Sequence, residues 1–129
     1  MSAMTKKDVQ SFVDKLYGCH LSVVYTHSDY DACVDTNSGT IYIDSSFWTY
    51  HRHFPMLIES ILRHEVGHFN VYHPKRCMRE LYAQIWAIQS TKNKRMLDLL
   101  RDEILSWDDP YMEKCYQDAR RIYFRWRKK

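Results

Sequence analysis

Glycine and proline are scarce in this chain, each occurring 3 times in 129 residues. Because turns and linkers draw heavily on these two residues, their scarcity leaves room for only a few short loops. The sequence also contains no low-complexity stretch and no internal repeat. Hydrophobic residues make up 45% of the chain, which is enough to bury a core without disulfides. We therefore expect one globular domain that covers residues 1–129.

A segment that could enter or cross a membrane is also missing from the sequence. Lys6 and Lys7 are followed by polar and charged residues, where a signal peptide would have an apolar run. The cysteines are far apart and form no C-x-x-C pair: Cys19, Cys33, Cys77 and Cys115. We expect free thiols, a cytoplasmic location and no membrane partner, and no signature marks any of these cysteines as a nucleophile.

Residues 64–68 read His-Glu-Val-Gly-His. Side chains four apart on a helix lie on the same face, so His64 and His68 can bind one zinc ion while Glu65 stands beside the open coordination position as general base. The context is helical, because Pro55 suits a first turn and apolar residues follow at helical spacing. His73, as the residue before Pro74, should end the helix. The pattern predicts a zinc-dependent hydrolase.

A catalytic zinc site needs a third protein ligand, which a second segment must supply. Glu80 is the best candidate, because Ala83 and Ala87 follow at i+3 and i+7 and would let this helix approach the first one closely at Gly67. His73 is the rival. On a continued helix it would point about 140° away from the metal face, but a chain that leaves the helix there could bring it back. Glu80 could also be an ordinary surface carboxylate.

The sequence His64-Glu65-x-x-His68 followed by Glu80-x-x-Ala83-x-x-x-Ala87 resembles the gluzincins, zinc metallopeptidases that include the minigluzincins and the ImmA/IrrE-like peptidases. The resemblance spans roughly residues 21–90. It implies zinc held by His64, His68 and Glu80, a zinc-bound water activated by Glu65, and a peptide or protein substrate. It also implies that the strand at Thr40–Ile43 is an edge strand that binds extended peptide.

The chain departs from the gluzincin pattern at one position. Many gluzincins have an aspartate four residues after the ligand glutamate, where this chain has Gln84. An amide oxygen can still accept the N–H of a zinc histidine, but it raises the basicity of that ligand less, so we expect low or narrow activity. Such sites also use a tyrosine or histidine to stabilise the oxyanion. The candidates are Tyr72, Tyr111, Tyr116 and His73.

The predicted fold is α+β, a small zincin-like domain. Thr5 and Asp8 form a capping box for an N-terminal helix that ends at Gly18. Leu21–Tyr25 reads as the first strand, and Ala32–Val34 with Thr40–Ile43 reads as a hairpin, which gives a small, mostly antiparallel sheet.

The active-site helix is then followed by a glutamate helix over Met78–Gln89 and by two C-terminal helices. Asn93 would cap the first of these, and four of its residues should face inward: Met96, Leu97, Leu100 and Leu105. Asp108-Asp109-Pro110 would start the second, which should run to about Trp126.

The last ten residues combine six positive charges with aromatic side chains: Arg120, Arg121, Tyr123, Phe124, Arg125, Trp126, Arg127, Lys128 and Lys129. Nucleic-acid surfaces use such a combination. The net charge of the whole chain is only +3, however, and cations at a helix C-terminus also complement the helix dipole. Two further functions thus stay open: an SprT-like protease acting on nucleic-acid-bound proteins, and a catalytically weak zincin-fold binding protein. The segment of residues 120–129 could also fold over the active-site cleft of such an enzyme.

Overall fold

The computed structural model describes residues 3–107 and the isolated residues 117, 120, 121 and 125. Within residues 3–107 the chain forms five helices and three strands, which confirms the α+β class. In chain order they are α1 (Lys6–Tyr17), β1 (Ser22–Thr26), β2 (Ala32–Asp35), β3 (Thr40–Asp44), α2 (Ser45–His51), α3 (Pro55–Asn70), α4 (Arg76–Gln89) and α5 (Lys94–Ser106).

The predicted ends of α1 are confirmed. The Thr5 side chain accepts the N–H of Asp8, and the Asp8 carboxylate accepts the N–H of Thr5. Gly18 follows with φ +86°, a backbone conformation that favours glycine, and its N–H bonds to Asp14 O. Helix α2 was not predicted. The Asp44 carboxylate accepts the N–H of Phe47 and thereby caps this short helix.

The sheet is mixed, with strand order β1-β3-β2. β2 and β3 form the predicted antiparallel hairpin, whereas β1 runs parallel to β3. The expectation of a mostly antiparallel sheet therefore holds for only one of the two pairs. The expectation that Thr40–Ile43 is an edge strand is wrong, because β1 pairs with β3 on the side away from β2. Ile41 and Ile43 are buried accordingly, and β2 is the edge strand that packs on α3.

The main hydrophobic core joins α1, the sheet and α3. Val9 and Val13 of α1, Ile41 of β3, and Leu62 and Val66 of α3 are all almost fully buried in one cluster. This packing fixes one face of α3 against the rest of the domain. The face that carries the two motif histidines is consequently held in a fixed orientation.

Helices α3 and α4 pack so closely at Gly67 that their backbones are in contact. A Cβ added to Gly67 would lie 2.6 Å from Ala83 O, and Ala83 and Ala87 are fully buried. The predicted close approach at these small residues is confirmed. Helix α3 begins at Pro55 as predicted but ends at Asn70, before the His-Pro pair at 73 and 74, because Val71 already adopts an extended conformation.

Helix α5 packs on α4 through a stripe that differs in part from the predicted one. Asn93 caps it by accepting the N–H of Met96, as expected. Met96, Leu100 and Ile104 follow one another at intervals of four and are buried, whereas Leu97 is only partly buried and Leu105 is 43% exposed. The inward placement of Leu105 was wrong, since residue 105 lies about 100° around the helix from residue 104.

The predicted final helix, with its start at Asp108–Pro110 and its end near Trp126, lies outside the described residues except for four positions. Gln117, Arg120, Arg121 and Arg125 have helical backbone. Among the residues that the structure describes, no helix combines the length and the apolar character needed to cross a bilayer.

Candidate metal centre

Three side chains converge between α3 and α4. His64 and His68 project from one face of α3, and Glu80 projects toward them from the second turn of α4. His64 Nε2 lies 2.6 Å from Glu80 Oε2, His68 Nε2 lies 3.1 Å from the same oxygen, and the two Nε2 atoms are 3.2 Å apart. Within the described part of the chain this is the one group of three or more His, Cys, Asp or Glu side chains that could hold a metal ion.

Gln84 fixes the orientation of the His64 ring. Its Nε2 donates to Leu100 O at 2.7 Å, so its Oε1 is the atom that faces His64 Nδ1 at 2.6 Å. An amide oxygen accepts only, and His64 Nδ1 must therefore carry the proton in this contact. In neutral His64 the lone pair is then on Nε2, the nitrogen that faces Glu80 and His68. The predicted role of Gln84 as acceptor for a histidine is confirmed.

The convergence of these atoms requires a cation. Without one, the lone pair of His64 Nε2 would face a carboxylate oxygen at 2.6 Å. Burial lowers the pKa of His64, but the hydrogen bond with Glu80 and the charges of Glu65 and Glu80 outweigh this effect and raise the pKa to about 9. For Glu80, burial raises the pKa, but the hydrogen bonds with His64 and His68 outweigh this effect and hold the pKa well below its usual range. In the metal-free chain a proton can therefore neutralise the cluster.

A metal ion could replace that proton. Ligands at about 2.0–2.1 Å from a tetrahedral ion lie about 3.3 Å from one another, and the three observed separations are between 2.6 and 3.2 Å. Two imidazole nitrogens and one carboxylate oxygen are a ligand set that divalent transition metals accept. The donor set and its spacing thus fit a metal ion.

Glu65 lies beside this group without belonging to it. Its side chain is 8% exposed, and burial raises its pKa, an effect that the charges of His64 and His68 partly offset. A carboxylate whose pKa is raised is a stronger base than a solvent-exposed one, which suits it to accept a proton beside this cluster. The structure therefore brings all four predicted site residues together.

The metal centre opens into a cleft of about 960 Å³. One wall is the edge strand β2, through Ala32, Cys33 and Val34. Leu57 and Ile61 of α3 and Leu99 of α5 line an apolar part of the same cleft. Burial is the main reason that the pKa of the Cys33 thiol is raised, and the negative charge of Glu65 adds to it. A cleft of this volume has room for several amino-acid residues.

The remaining predicted residues have different outcomes. His73 is not part of the metal group, because its ring packs edge-on against Tyr82 and its Nδ1 accepts the N–H of Lys75. Tyr72 lines the cleft and is 72% exposed. Tyr111 and Tyr116, two of the other oxyanion candidates, lie outside the described residues. The nucleic-acid prediction rests on the C-terminal segment, most of which is also outside them.

The sequence analysis missed His51, which also lines the cleft. Its ring stacks on Phe47, with centroids 4.4 Å apart, and its Nδ1–H donates to Phe47 O. The Nε2 atom of the neutral ring is left as an acceptor. The only sequence signal was the i, i+4 spacing of Phe47 and His51, in a helix that was itself not predicted.

No protein-family model, curated protein or solved structure matches this chain. The resemblance to gluzincins therefore rests on the motif residues alone, and the function has to be argued from the site.

Proposed function

We propose that this protein is a zinc-dependent peptide-bond hydrolase of gluzincin type. The observation that carries the proposal is the convergence of His64 Nε2, His68 Nε2 and Glu80 Oε2 within 4.8 Å, beside a buried carboxyl group that is not one of them. Two histidines with one glutamate leave the fourth position of a tetrahedral zinc site free for water or substrate. A closed structural site would have used four protein ligands.

Each residue of the site then has a defined role. His64, His68 and Glu80 would hold the ion, and Gln84 would keep His64 in the tautomer that ligates through Nε2. Bound zinc lowers the pKa of water toward about 7 and polarises a carbonyl group. The Glu65 carboxylate would accept a proton from the attacking water and later deliver it to the leaving amine, and its raised pKa makes it a stronger base for the first step. Tyr72, whose hydroxyl group can donate a hydrogen bond into the cleft, would stabilise the oxyanion.

A peptide substrate is supported by the position of β2. This strand pairs only with β3 among the described strands, so its outer edge can form backbone hydrogen bonds with an added strand. The same strand lines the cleft that holds the metal centre. An extended peptide bound along β2 would lie across the metal group, with its side chains pointing alternately toward and away from the cleft floor.

The test combines metal content with cleavage. Protein purified without added metal should contain about one zinc per chain and should cleave an unfolded protein such as casein, and a chelator should abolish the cleavage. Glu65→Gln should keep the zinc while reducing the cleavage rate by at least about a hundredfold, the usual contribution of a general base. Loss of zinc in Glu65→Gln, or full activity in it, would contradict the assigned roles.

A further inference from the structure

Arginine side chains form one end of the cleft. Arg79 directly precedes Glu80 in α4, and Arg76 lies one turn earlier on the same face of that helix. Both side chains line the cleft together with the metal group and Tyr72. The cleft therefore has a cationic wall a short distance from the metal centre, which the proposed hydrolysis does not use.

Arg79 is held in place by its neighbours. One terminal nitrogen, Nη2, donates to Pro74 O at 3.1 Å, and the guanidinium carbon lies 5.3 Å from the centroid of the Tyr72 ring. A cation at this distance over an aromatic face is attracted to the ring. These two contacts orient the planar group, so a ligand would meet a guanidinium that is already positioned.

The hydrogen-bonding capacity of Arg79 is only partly used. Its Nε is buried and has no hydrogen-bond partner. A buried donor without a partner is unfavourable, and a ligand that satisfies it gains accordingly. Nε and a terminal nitrogen of a guanidinium together form the fork that matches the two oxygens of a carboxylate.

Among the described residues, no acidic side chain that lines the cleft occupies this fork. Glu80 is one of the three candidate ligands, and Glu65 lies beside them. Asp31 and Glu103 also line the cleft, but neither forms an ion pair with Arg79. The N-terminus of α4 has no side-chain cap, and its dipole adds to the positive potential at this wall. A carboxylate supplied by a ligand would complete the arrangement.

We infer that Arg79 binds a carboxylate of the peptide substrate and thereby sets the substrate class. This inference rests on the proposed peptidase function. Because Arg79 and Glu80 are adjacent, and an extended peptide advances about 3.3 Å per residue, the carboxylate would lie within about one to three residues of the scissile bond. It is either the side chain of a Glu or Asp residue or the free C-terminus of the peptide. Arg76 adds positive charge at the same wall.

The test measures binding, so that it does not depend on turnover. A set of fluorescein-labelled apolar heptapeptides carries one Glu or one Gln at each position in turn, with the C-terminus free or amidated. Affinities are measured by fluorescence anisotropy with zinc-loaded Glu65→Gln protein. We expect either one Glu position or the free C-terminus to improve affinity by roughly tenfold or more over its neutral counterpart, and the arm of the set that responds identifies the source of the carboxylate.

The preference for a carboxylate should disappear in Arg79→Gln. It should fall only in part in Arg79→Lys, because lysine keeps the positive charge but lacks the two parallel N–H groups. It should persist in Arg95→Gln, a control at an exposed arginine outside the cleft. The inference is wrong if no charged peptide binds better than its neutral counterpart. It is also wrong if the preference survives in Arg79→Gln, because the metal would then be binding the carboxylate. If Arg79→Gln does not fold, an Arg79→Lys protein with an undiminished preference overturns it as well. A carboxylate preference in binding without cleavage by the zinc-loaded wild type would contradict the peptidase proposal alone.

Discussion

The close contact of α3 with α4 makes Gly67 a position at which we expect even a small side chain to disturb the metal group. In Gly67→Ala the new Cβ would lie 2.6 Å from Ala83 O and 3.0 Å from Ala83 Cα. Even the shortest contact that real Cβ atoms make, 3.0 Å, requires the helices to separate by 3.0 − 2.6 = 0.4 Å, and an ordinary contact of 3.4 Å requires 0.8 Å. The obstacle is backbone, so no side-chain rotation can relieve it.

This separation would move Glu80 away from His64 and His68. Metal–ligand distances tolerate changes of only about 0.2 Å, which is less than the required shift. We expect zinc affinity to fall by roughly tenfold to a hundredfold, as for changes that displace a ligand without removing it. Overpacking costs about 1–3 kcal/mol, and the better helix propensity of alanine offsets about 1 kcal/mol of that. The metal-free protein should therefore lose at most about 2 kcal/mol of stability.

Gly18→Ala is the matched control. Gly18 has φ +86°, so alanine is strained there by about 1–2 kcal/mol, but nothing lies within 4 Å of the added Cβ. Denaturant unfolding of the metal-free variants gives their stabilities, and competition with a chromophoric chelator gives their zinc affinities. Gly18→Ala should lose stability and keep its zinc affinity. Wild-type zinc affinity in Gly67→Ala would refute the coupling of helix spacing to the metal site.

Three further predictions concern the metal group. Glu80→Ala should weaken zinc binding far more than His73→Ala, because the Glu80 carboxylate lies beside His64 and His68 whereas His73 packs on Tyr82. Metal analysis of both variants checks this. Loss of zinc in His73→Ala alone would reverse the ligand assignment. The metal-free protein should lose stability as the pH rises from about 6.5 to 9, because in this range the unfolded chain releases the His64 proton while the folded chain, in which the pKa of His64 is raised to about 9, still holds it. Thermal melts with and without zinc measure this, and equal pH dependence in both forms would contradict it. Gln84→Leu should lower zinc affinity by roughly tenfold to a hundredfold, since His64 loses the acceptor that fixes its tautomer, and an unchanged affinity would show that the ring needs no such support.

The metal group could be predicted because its information is local. Helical spacing places His64 and His68 on one face, and small residues at 67, 83 and 87 indicate where two helices can touch. The first residues of α1 and α5 could be predicted from equally local signals, since the side chains of Thr5 and Asn93 accept backbone N–H groups three residues further along the chain. In each case the deciding residues lie within one helix or on two helices that follow one another directly in the chain.

The strand order could not be predicted in the same way. Whether β1 pairs with β2 or with β3 depends on contacts between residues that are far apart in the chain. The prediction therefore placed the free edge of the sheet on the wrong strand of the hairpin. The cationic wall of Arg76 and Arg79 was missed for a related reason. From the sequence alone, Arg79 resembles any exposed arginine of a helix, and its contact with Tyr72 is seen only in the structure.

The two hydrogen bonds of Gln84 have a consequence for the protein as a whole. One connects to His64 on α3 and the other to Leu100 O on α5, a helix that supplies none of the three candidate ligands. Binding of an ion to His64 and docking of α5 thus depend on the same amide group and should favour each other to an equal extent. A nascent or damaged chain in which α5 is not docked would then bind its ion weakly, so metal occupancy would report on the completeness of the fold.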